Sequence, residues 1–324
     1  MPFAIRIHQT GGPEVMQWEA IEVGAPGPGQ IRIRHTAVGL NYIDTYHRSG
    51  LYKLPLPTIL GREGAGIVEA VGEGVGDLAV GDRVAYASSP IGAYCEVRLM
   101  PADRVVKIPK SISDQQAASM MLKGMTAEYL IRRTYPVKAG DIVLVHAAAG
   151  GVGQIVCQWA KHLGATVIGT VGSEKKTAIA QAAGCDAVIN YAQDDFGAQV
   201  VEFTQGKKCD VVYDGVGQDT FARSLDCLRP LGMAVLFGNA SGAVPPFDLG
   251  QLAAKGSLYV TRPALDTYIA KRADLVASTQ ALFEVVGEGI VKIDINQTYP
   301  LREASRAHRD LEARKTTGST VLLP

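Results

Sequence analysis

The sequence predicts an α/β fold in two parts, a β-rich, irregular domain and a doubly wound parallel sheet. Two observations carry this. Up to about Pro109, short apolar runs are cut by turn residues, whereas from Asp141 onward strand-length and helix-length patterns alternate. The 324 residues also exceed the ~250–300 at which one hydrophobic core stops growing, so two domains are expected.

In the first part, Pro26-Gly27-Pro28-Gly29 is turn punctuation, and the alternating Ile31-Arg32-Ile33-Arg34 after it reads as a strand. Ala65 to Gly72, Gly81 to Tyr86, Tyr94 to Val97 and Arg104 to Ile108 continue the strand series. Two helices follow, Asp114 to Ser119 and Met125 to Thr134. The apolar run Asp141 to His146 has the length of a buried strand, and Gly151 to Leu163 is a helix with Ile155, Val156, Trp159, Ala160 and Leu163 on one face. Strands at Thr166–Val171, Ala187–Asn190, Asp210–Tyr213, Met233–Phe237 and Ser257–Thr261 then alternate with helices at Lys175–Ala183, Asp194–Thr204 and Thr220–Leu228. That rhythm means βαβ units on a parallel sheet. The tail leaves it: a long helix from Asp266 to Gly287, a strand at Val291–Ile295, a helix at Leu301–Glu312 and a last strand at Ser319–Leu323.

Composition narrows the function. Lys+Arg and Asp+Glu are 32 each, for a net charge of +0, so no field gathers nucleic acid or an anionic membrane. Hydrophobic residues at 47% and charged ones at 20% fit a compact soluble chain. The five cysteines, Cys95, Cys157, Cys185, Cys209 and Cys227, show no C-x-x-C pair, which argues for a reducing compartment. Met1 to Glu14 has no signal-like apolar core, and the longest apolar stretch, Ile142 to Val156, is broken by His146 and glycines. A cytoplasmic location is expected.

The strongest chemical signal is Ala147-Ala148-Ala149-Gly150-Gly151-Val152-Gly153, between the apolar strand and the amphipathic helix. Glycines there let the backbone approach a pyrophosphate, and the helix N-terminus offers N–H groups and a positive dipole end, so dinucleotide binding is expected. The second strand ends at Gly172-Ser173, where an acidic side chain would hold an NAD ribose, and Lys175 and Lys176 follow. Space and positive charge there suit a 2′-phosphate and favour NADPH; a solvated helix start, with Glu174 beside it, is the other reading of the lysines.

Taken with Gly39-Leu40-Asn41-Tyr42-Ile43-Asp44, Arg48-Ser49-Gly50-Leu51-Tyr52, Gly61-Arg62-Glu63-Gly64-Ala65-Gly66, Val212-Tyr213-Asp214-Gly215-Val216-Gly217 and Leu258 to Pro263, these motifs resemble the zinc-free quinone oxidoreductases, the zeta-crystallin-like group of the medium-chain dehydrogenase/reductase superfamily. The resemblance covers essentially the whole chain. It implies a GroES-like catalytic domain over 1–125, completed by 265–324, and a Rossmann NADPH domain over 126–264. The zinc enzymes of the superfamily carry Cys and His near the positions of Asn41 and Arg62, and neither residue present makes a soft zinc site, so no metal is expected.

For the acceptor, the resemblance implies Asn41, Tyr46, Tyr52 and Arg262. Aromatic packing is the other reading of the two tyrosines, and structural pairing that of the arginine. For NADPH it implies Asn41 and Thr126 at the nicotinamide ribose and Ala149, Gly150, Gly151, Val152 and Gly153 at the pyrophosphate. Gly172, Ser173, Lys176, Tyr191 and Arg314 are implied at the 2′-phosphate, and Val216, Phe237, Gly238, Asn239 and Ser241 on the nicotinamide side. Asp214 could cap the next helix, and Cys157 reads as a small buried hydrophobe. The expected activity is metal-free hydride transfer from NADPH to a quinone. Enone or enal reduction is the alternative within enzymes, and an NADPH-binding crystallin-like or RNA-binding protein the alternative outside them. A homodimer is expected by resemblance, through the apolar edge at Ser257 to Val260.

Overall fold

The computed structural model describes residues 1–193 and 195–324 and divides into two compact units. The first comprises Met1–Met125, Tyr268–Gly287 and Ile293–Pro324; the second comprises Thr126–Thr267 and Glu288–Lys292.

The chain opens with β1 (Phe3–Ile7), β2 (Gln17–Ala20), β3 (Gln30–Leu40), helix α1 (Tyr42–Ser49), β4 (Thr58–Ile59), β5 (Glu63–Val71), β6 (Arg83–Tyr86), β7 (Val97–Pro101), β8 (Val106–Lys107) and helix α2 (Asp114–Tyr129). It continues with β9 (Ile142–Val145), α3 (Gly151–His162), β10 (Thr166–Val171), α4 (Thr177–Ala182), β11 (Ala187–Asn190), α5 (Phe196–Phe203), β12 (Cys209–Asp214), α6 (Phe221–Ser224), β13 (Leu228–Leu236), α7 (Gly250–Ala254), β14 (Tyr259–Thr261) and α8 (Leu265–Tyr268). The last elements are α9 (Arg272–Gly287), β15 (Ile295–Pro300), α10 (Ala304–Glu312) and β16 (Ser319–Leu323).

In the second unit six parallel strands run in the order β11-β10-β9-β12-β13-β14, so the chain starts at β9, winds outward, and reverses between β9 and β12. Ligands of such sheets bind off the carboxyl ends of the strands at that reversal. Leu144, Ile168, Ile189, Phe196, Val212 and Leu236 share its core. In the first unit, a seven-stranded sheet orders β15-β16-β3-β5-β6-β8 with β7 paired to β3, beside a three-stranded sheet β2-β1-β4. Its core draws Ile5, Ile31, Val38, Tyr94, Leu301 and Leu322 from both ends of the sequence. The fold is the GroES-like and Rossmann combination that the motifs imply.

Several elements differ from the sequence expectation. The two helices expected around residue 120 are one, α2, followed by a π-type turn over Leu130–Thr134; Met120, Met121 and Met125 are buried, and Gly124 lies where a β-carbon would strike Leu282. The long helix expected from Asp266 breaks after Tyr268, where Arg104 Nη1 donates to the carbonyls of Ile269 and Ala270. The strand expected at Val291 begins instead at Ile295, because the Lys292 backbone exchanges hydrogen bonds with the Gln158 side chain. Tyr94 contributes backbone bonds to Ile5 and Leu60 with no strand until Val97, and Ala102–Arg104 is a 3-10 turn that leaves only Val106–Lys107 extended. Helix α5 starts at Phe196; Asp194, where its start is expected, lies outside the described residues.

Candidate active site

In the second unit the glycine-rich segment is a strained βα turn. Ala147 adopts φ 53, a left-handed conformation that costs an L-residue of this kind about 1 kcal/mol or more, and the Gly150 N–H donates to its carbonyl at 2.8 Å. At Gly153 a β-carbon would stand 2.3 Å from the same carbonyl, so no other residue lets α3 start this close to the strand end. Gly150 precedes the helix with no side-chain cap, and the Gln154 amide donates to the Ala149 carbonyl at 2.8 Å, stiffening the turn from behind. Ala149 to Gly153 thus lie at the end of β9 with helix-start N–H groups of the kind that bind an anion.

The next strand end is tied to that turn, since the Ala148 N–H donates to Thr170 O at 3.0 Å. Beyond it, the Tyr191 hydroxyl stands 2.7 Å from where a β-carbon on Gly172 would be, which brings these two residues together. Ser173 is extended and opens the short turn Glu174–Lys176, with Lys175 exposed and Lys176 half-buried. Arg314 belongs to the other unit, exposed after α10 with φ 58.

At the ends of β12 and β13, Asp214 Oδ1 accepts from the N–H groups of Val216 and Gly217 at 2.8 and 3.0 Å and from Thr220 Oγ1 at 2.9 Å, which is a capping role. Phe237 N donates to Asp214 O, and Ser241 donates from both N and Oγ to Val216 O at 2.9 Å. Gly238 packs against Gly215, and Asn239 O accepts from Gly242 N, so 214–217 and 237–242 form one ledge. Arg262 Nη1 donates to Leu236 O at 3.1 Å, and Thr126 is buried in α2.

The first unit gathers Asn41, Tyr46 and Tyr52 around α1. Asn41 precedes the helix in extended conformation, with Asp44 Oδ2 accepting its N–H at 2.9 Å. Its Nδ2 donates to Glu63 Oε2 at 2.7 Å; Glu63 Oε1 accepts from Leu122 N at 2.8 Å, and Lys123 Nζ lies 3.5 Å from Oε2. Glu63 is wholly buried, and burial raises its carboxyl pKa while Lys123 opposes that shift. The Tyr46 ring stands between Tyr42 at 5.6 Å and Tyr52 at 5.2 Å. Below α1 runs a buried chain: Tyr94 OH donates to Asp44 Oδ2 and meets His308 Nε2 at 3.0 Å, while His308 Nδ1 faces Arg48, which is paired with Glu312. Burial pushes Asp44 up to about 7 and His308 down to about 3, so the imidazole is neutral, with Nε2 as donor and Nδ1 as acceptor from Arg48.

Residues 27–110 match the alcohol dehydrogenase GroES-like domain, and residues 151–272 match the zinc-binding dehydrogenase family. The chain is 52% identical over 321 residues to a quinone oxidoreductase of Pseudomonas aeruginosa, covering 99% of both chains. It superposes on Escherichia coli quinone oxidoreductase complexed with NADPH at a TM-score of 0.98 and 50% identity, covering 99% of this chain and 100% of the other. The chain belongs to the quinone oxidoreductases of the medium-chain dehydrogenase/reductase superfamily. A 2-haloacrylate reductase of a Burkholderia species is also 49% identical, covering 100% of this chain and 99% of the relative.

The zinc named in one family description does not fit this quinone oxidoreductase. Among the described residues no three His, Cys, Asp or Glu side chains are grouped to hold a metal, and the Asn41 amide and Arg62 guanidinium are not the thiolate or imidazole that a zinc site uses. NADPH fits it, as the close approach at Gly153 suits a backbone-held pyrophosphate and the Tyr191 hydroxyl packed against Gly172 offers a hydrogen-bonding group at the next strand end for a 2′-phosphate. Sequence reasoning missed Glu63 and Asp44 as supports of the Asn41 segment. Their signal is an acidic residue inside a run otherwise made for burial, Gly61 to Val68 for Glu63, which asks for a partner the sequence does not name.

Proposed function

We propose that this quinone oxidoreductase is a cytoplasmic, metal-independent enzyme that reduces quinones with NADPH, with 1–125 and 265–324 as its catalytic domain and 126–264 as its NADPH domain. The observation that carries the reading is the turn over Ala147 to Gly153: a strained residue, an obligatory glycine and an uncapped helix start converge where a parallel sheet reverses direction.

When bound, NADPH supplies the hydride. Ala149, Gly150, Gly151, Val152 and Gly153 hold its pyrophosphate, and Thr126 and Asn41 its nicotinamide ribose. Gly172, Ser173, Lys176, Tyr191 and Arg314 take the 2′-phosphate, whereas Val216, Phe237, Gly238, Asn239 and Ser241 line the nicotinamide. Asn41, Tyr46, Tyr52 and Arg262 act on the acceptor, where amide, phenol and guanidinium donate to the oxygen that gains charge. With one Nδ2 hydrogen committed to Glu63 and the side-chain oxygen engaged by the Asp44 N–H in a capping box, Asn41 presents its second Nδ2 hydrogen in a fixed orientation. The partner in assembly is a second copy of the chain: β14 ends the sheet with Tyr259 and Val260 57% and 39% exposed, an edge free of proline that suits two-fold pairing.

The experiment is a paired assay on zinc-assayed protein: NADPH against NADH, each with 1,4-benzoquinone and with a simple alkenal. Rapid NADPH-specific quinone turnover without zinc is the expected result. Turnover of the alkenal alone would move the enzyme to enone reduction, a second reading that the 2-haloacrylate reductase relative favours. Tight NADPH binding without turnover of either would leave a nucleotide-binding protein.

A further inference from the structure

Four of the five thiols are buried, and Cys185 is part-exposed. Its sulfur lies 3.5 Å from that of Cys157 and donates a hydrogen bond to it. The two belong to separate pieces of the second unit, Cys157 to the middle of α3 and Cys185 to the turn between α4 and β11. That turn is clamped to its surroundings, because the Asp186 carboxylate accepts from Lys161 Nζ on α3 at 2.5 Å and from Val167 N at 2.8 Å. The thiols therefore face each other in a fixed frame.

The Cys185 sulfur also touches the nucleotide turn at second hand. Gly169 of β10 is flanked on its open side by Cys185 Sγ and Ala148 Cβ, 2.6 and 2.8 Å from where a β-carbon would stand. Ala148 belongs to the strained segment before α3, and α3 carries Cys157 about two turns past Gly150. Moving either sulfur loads the piece that presents Gly150 to Gly153.

We propose that Cys157 and Cys185 form a reversible disulfide under peroxide and that this bond weakens NADPH binding. Cys185, the exposed partner, attacks hydrogen peroxide to give a sulfenic acid and one water. The Cys157 sulfur then attacks the Cys185 sulfur, the S–O bond breaks and the departing hydroxyl takes the Cys157 thiol proton as a second water, so two thiols and one peroxide become one disulfide and two waters. Cys185 is the thiol that peroxide can reach, which assigns the first step to it; the shared thiol–thiol hydrogen bond, and then burial, keep the Cys157 thiol protonated well above its ordinary pKa. Closing the sulfurs from 3.5 Å to the ~2.05 Å of a bond draws the Cys185 turn and α3 together, at the expense of the packing around Gly169.

The affinity half of this proposal rests on the nucleotide reading above; the bond itself does not. Nucleotide-free protein is treated with hydrogen peroxide, digested without reductant and read by mass spectrometry, while NADPH affinity is titrated by fluorescence on the intact protein. The expected result is a linked peptide pair containing Cys157 and Cys185, two hydrogens lighter and separated by dithiothreitol, with NADPH binding weakened about fivefold and restored on reduction. Cys185→Ser should show no link and no peroxide effect on affinity. Oxidation of Cys185 that stops at sulfenic or sulfinic acid, pairing with another cysteine, or a mapped disulfide with unchanged affinity would each overturn the proposal. Reduced protein that binds no NADPH at all counts against the proposed function, and the peptide masses still decide the disulfide.

Discussion

The two units build their sites from different materials. In the second, the nucleotide turn is made of backbone: a left-handed Ala147, a close approach at Gly153 and bare N–H groups at the start of α3, all within seven consecutive residues. In the first, Asn41 is held by the Glu63 carboxylate on β5, which is itself fixed by the Leu122 backbone N–H and the Lys123 ammonium on α2. A backbone site depends on conformation and tolerates most change around it, whereas a side-chain site depends on charges that must remain mutually satisfied.

The contrast is tested most severely at Glu63. Replacing it with Leu leaves the Lys123 ammonium buried without its counter-charge and should cost about 3–5 kcal/mol in urea unfolding. Adding Lys123→Met should recover much of that loss without recovering turnover, because Asn41 Nδ2 still lacks its acceptor; recovery of turnover would show that Asn41 needs no support. At the other site, Gly153→Val should weaken NADPH by about 100-fold, as the added carbon collides with the Ala147 carbonyl, and leave the far-UV spectrum unchanged. Unfolding by that variant would mean that the turn is structural first.

The same difference decides what could be read without coordinates. The strands Thr166–Val171 and Ala187–Asn190 and the start of α3 match the sequence expectation, because local apolar runs, glycines and repeating βα lengths specify them. Family likeness points to Asn41, Tyr46 and Tyr52, but what fixes Asn41 is not legible in the sequence: Glu63 is 22 residues away and Leu122 is 59 from Glu63, and no period in the sequence links them. Breaks such as that after Tyr268 were hidden for the same reason, since the cause is a distant arginine.

The comparison is also sharpened through pH. Asp44, with Arg62, Glu63, Tyr94 and the Asn41 N–H around it, is raised from 3.8 to about 7 chiefly by burial. The folded protein keeps that proton where the unfolded chain has lost it, so the contribution to stability is full below about 4 and is lost as pH rises to about 7. Asp44→Asn should remove it, and the stability of the variant relative to wild type should climb by ~1.4 kcal/mol per pH unit across that window and stay flat above it. His35 and His308, lowered from 6.5 to about 4 and about 3 by burial, act in the opposite sense: their contribution holds above 6.5 and fades as acid approaches those values. A pH-independent difference between variant and wild type would refute the Asp44 assignment.

The smallest change is expected at Lys176. Its replacement by Ala should weaken NADPH about tenfold and leave NADH unaltered, measured by titration of both. Equal loss for both would return the side chain to ordinary solvated charge.

Strand β3 pairs with β16, Val38 against Leu322, and Arg48 of α1 meets Glu312. A ribosome releases the first of these partners some 260 residues ahead of the second. The second unit, whose sheet draws all its strands from the middle of the chain, can close while β3 still shows an unpaired edge and Arg48 still lacks its carboxylate. During synthesis, then, the half of the protein that is made first is the half that is finished last, and it is the half for which a chaperone would be needed.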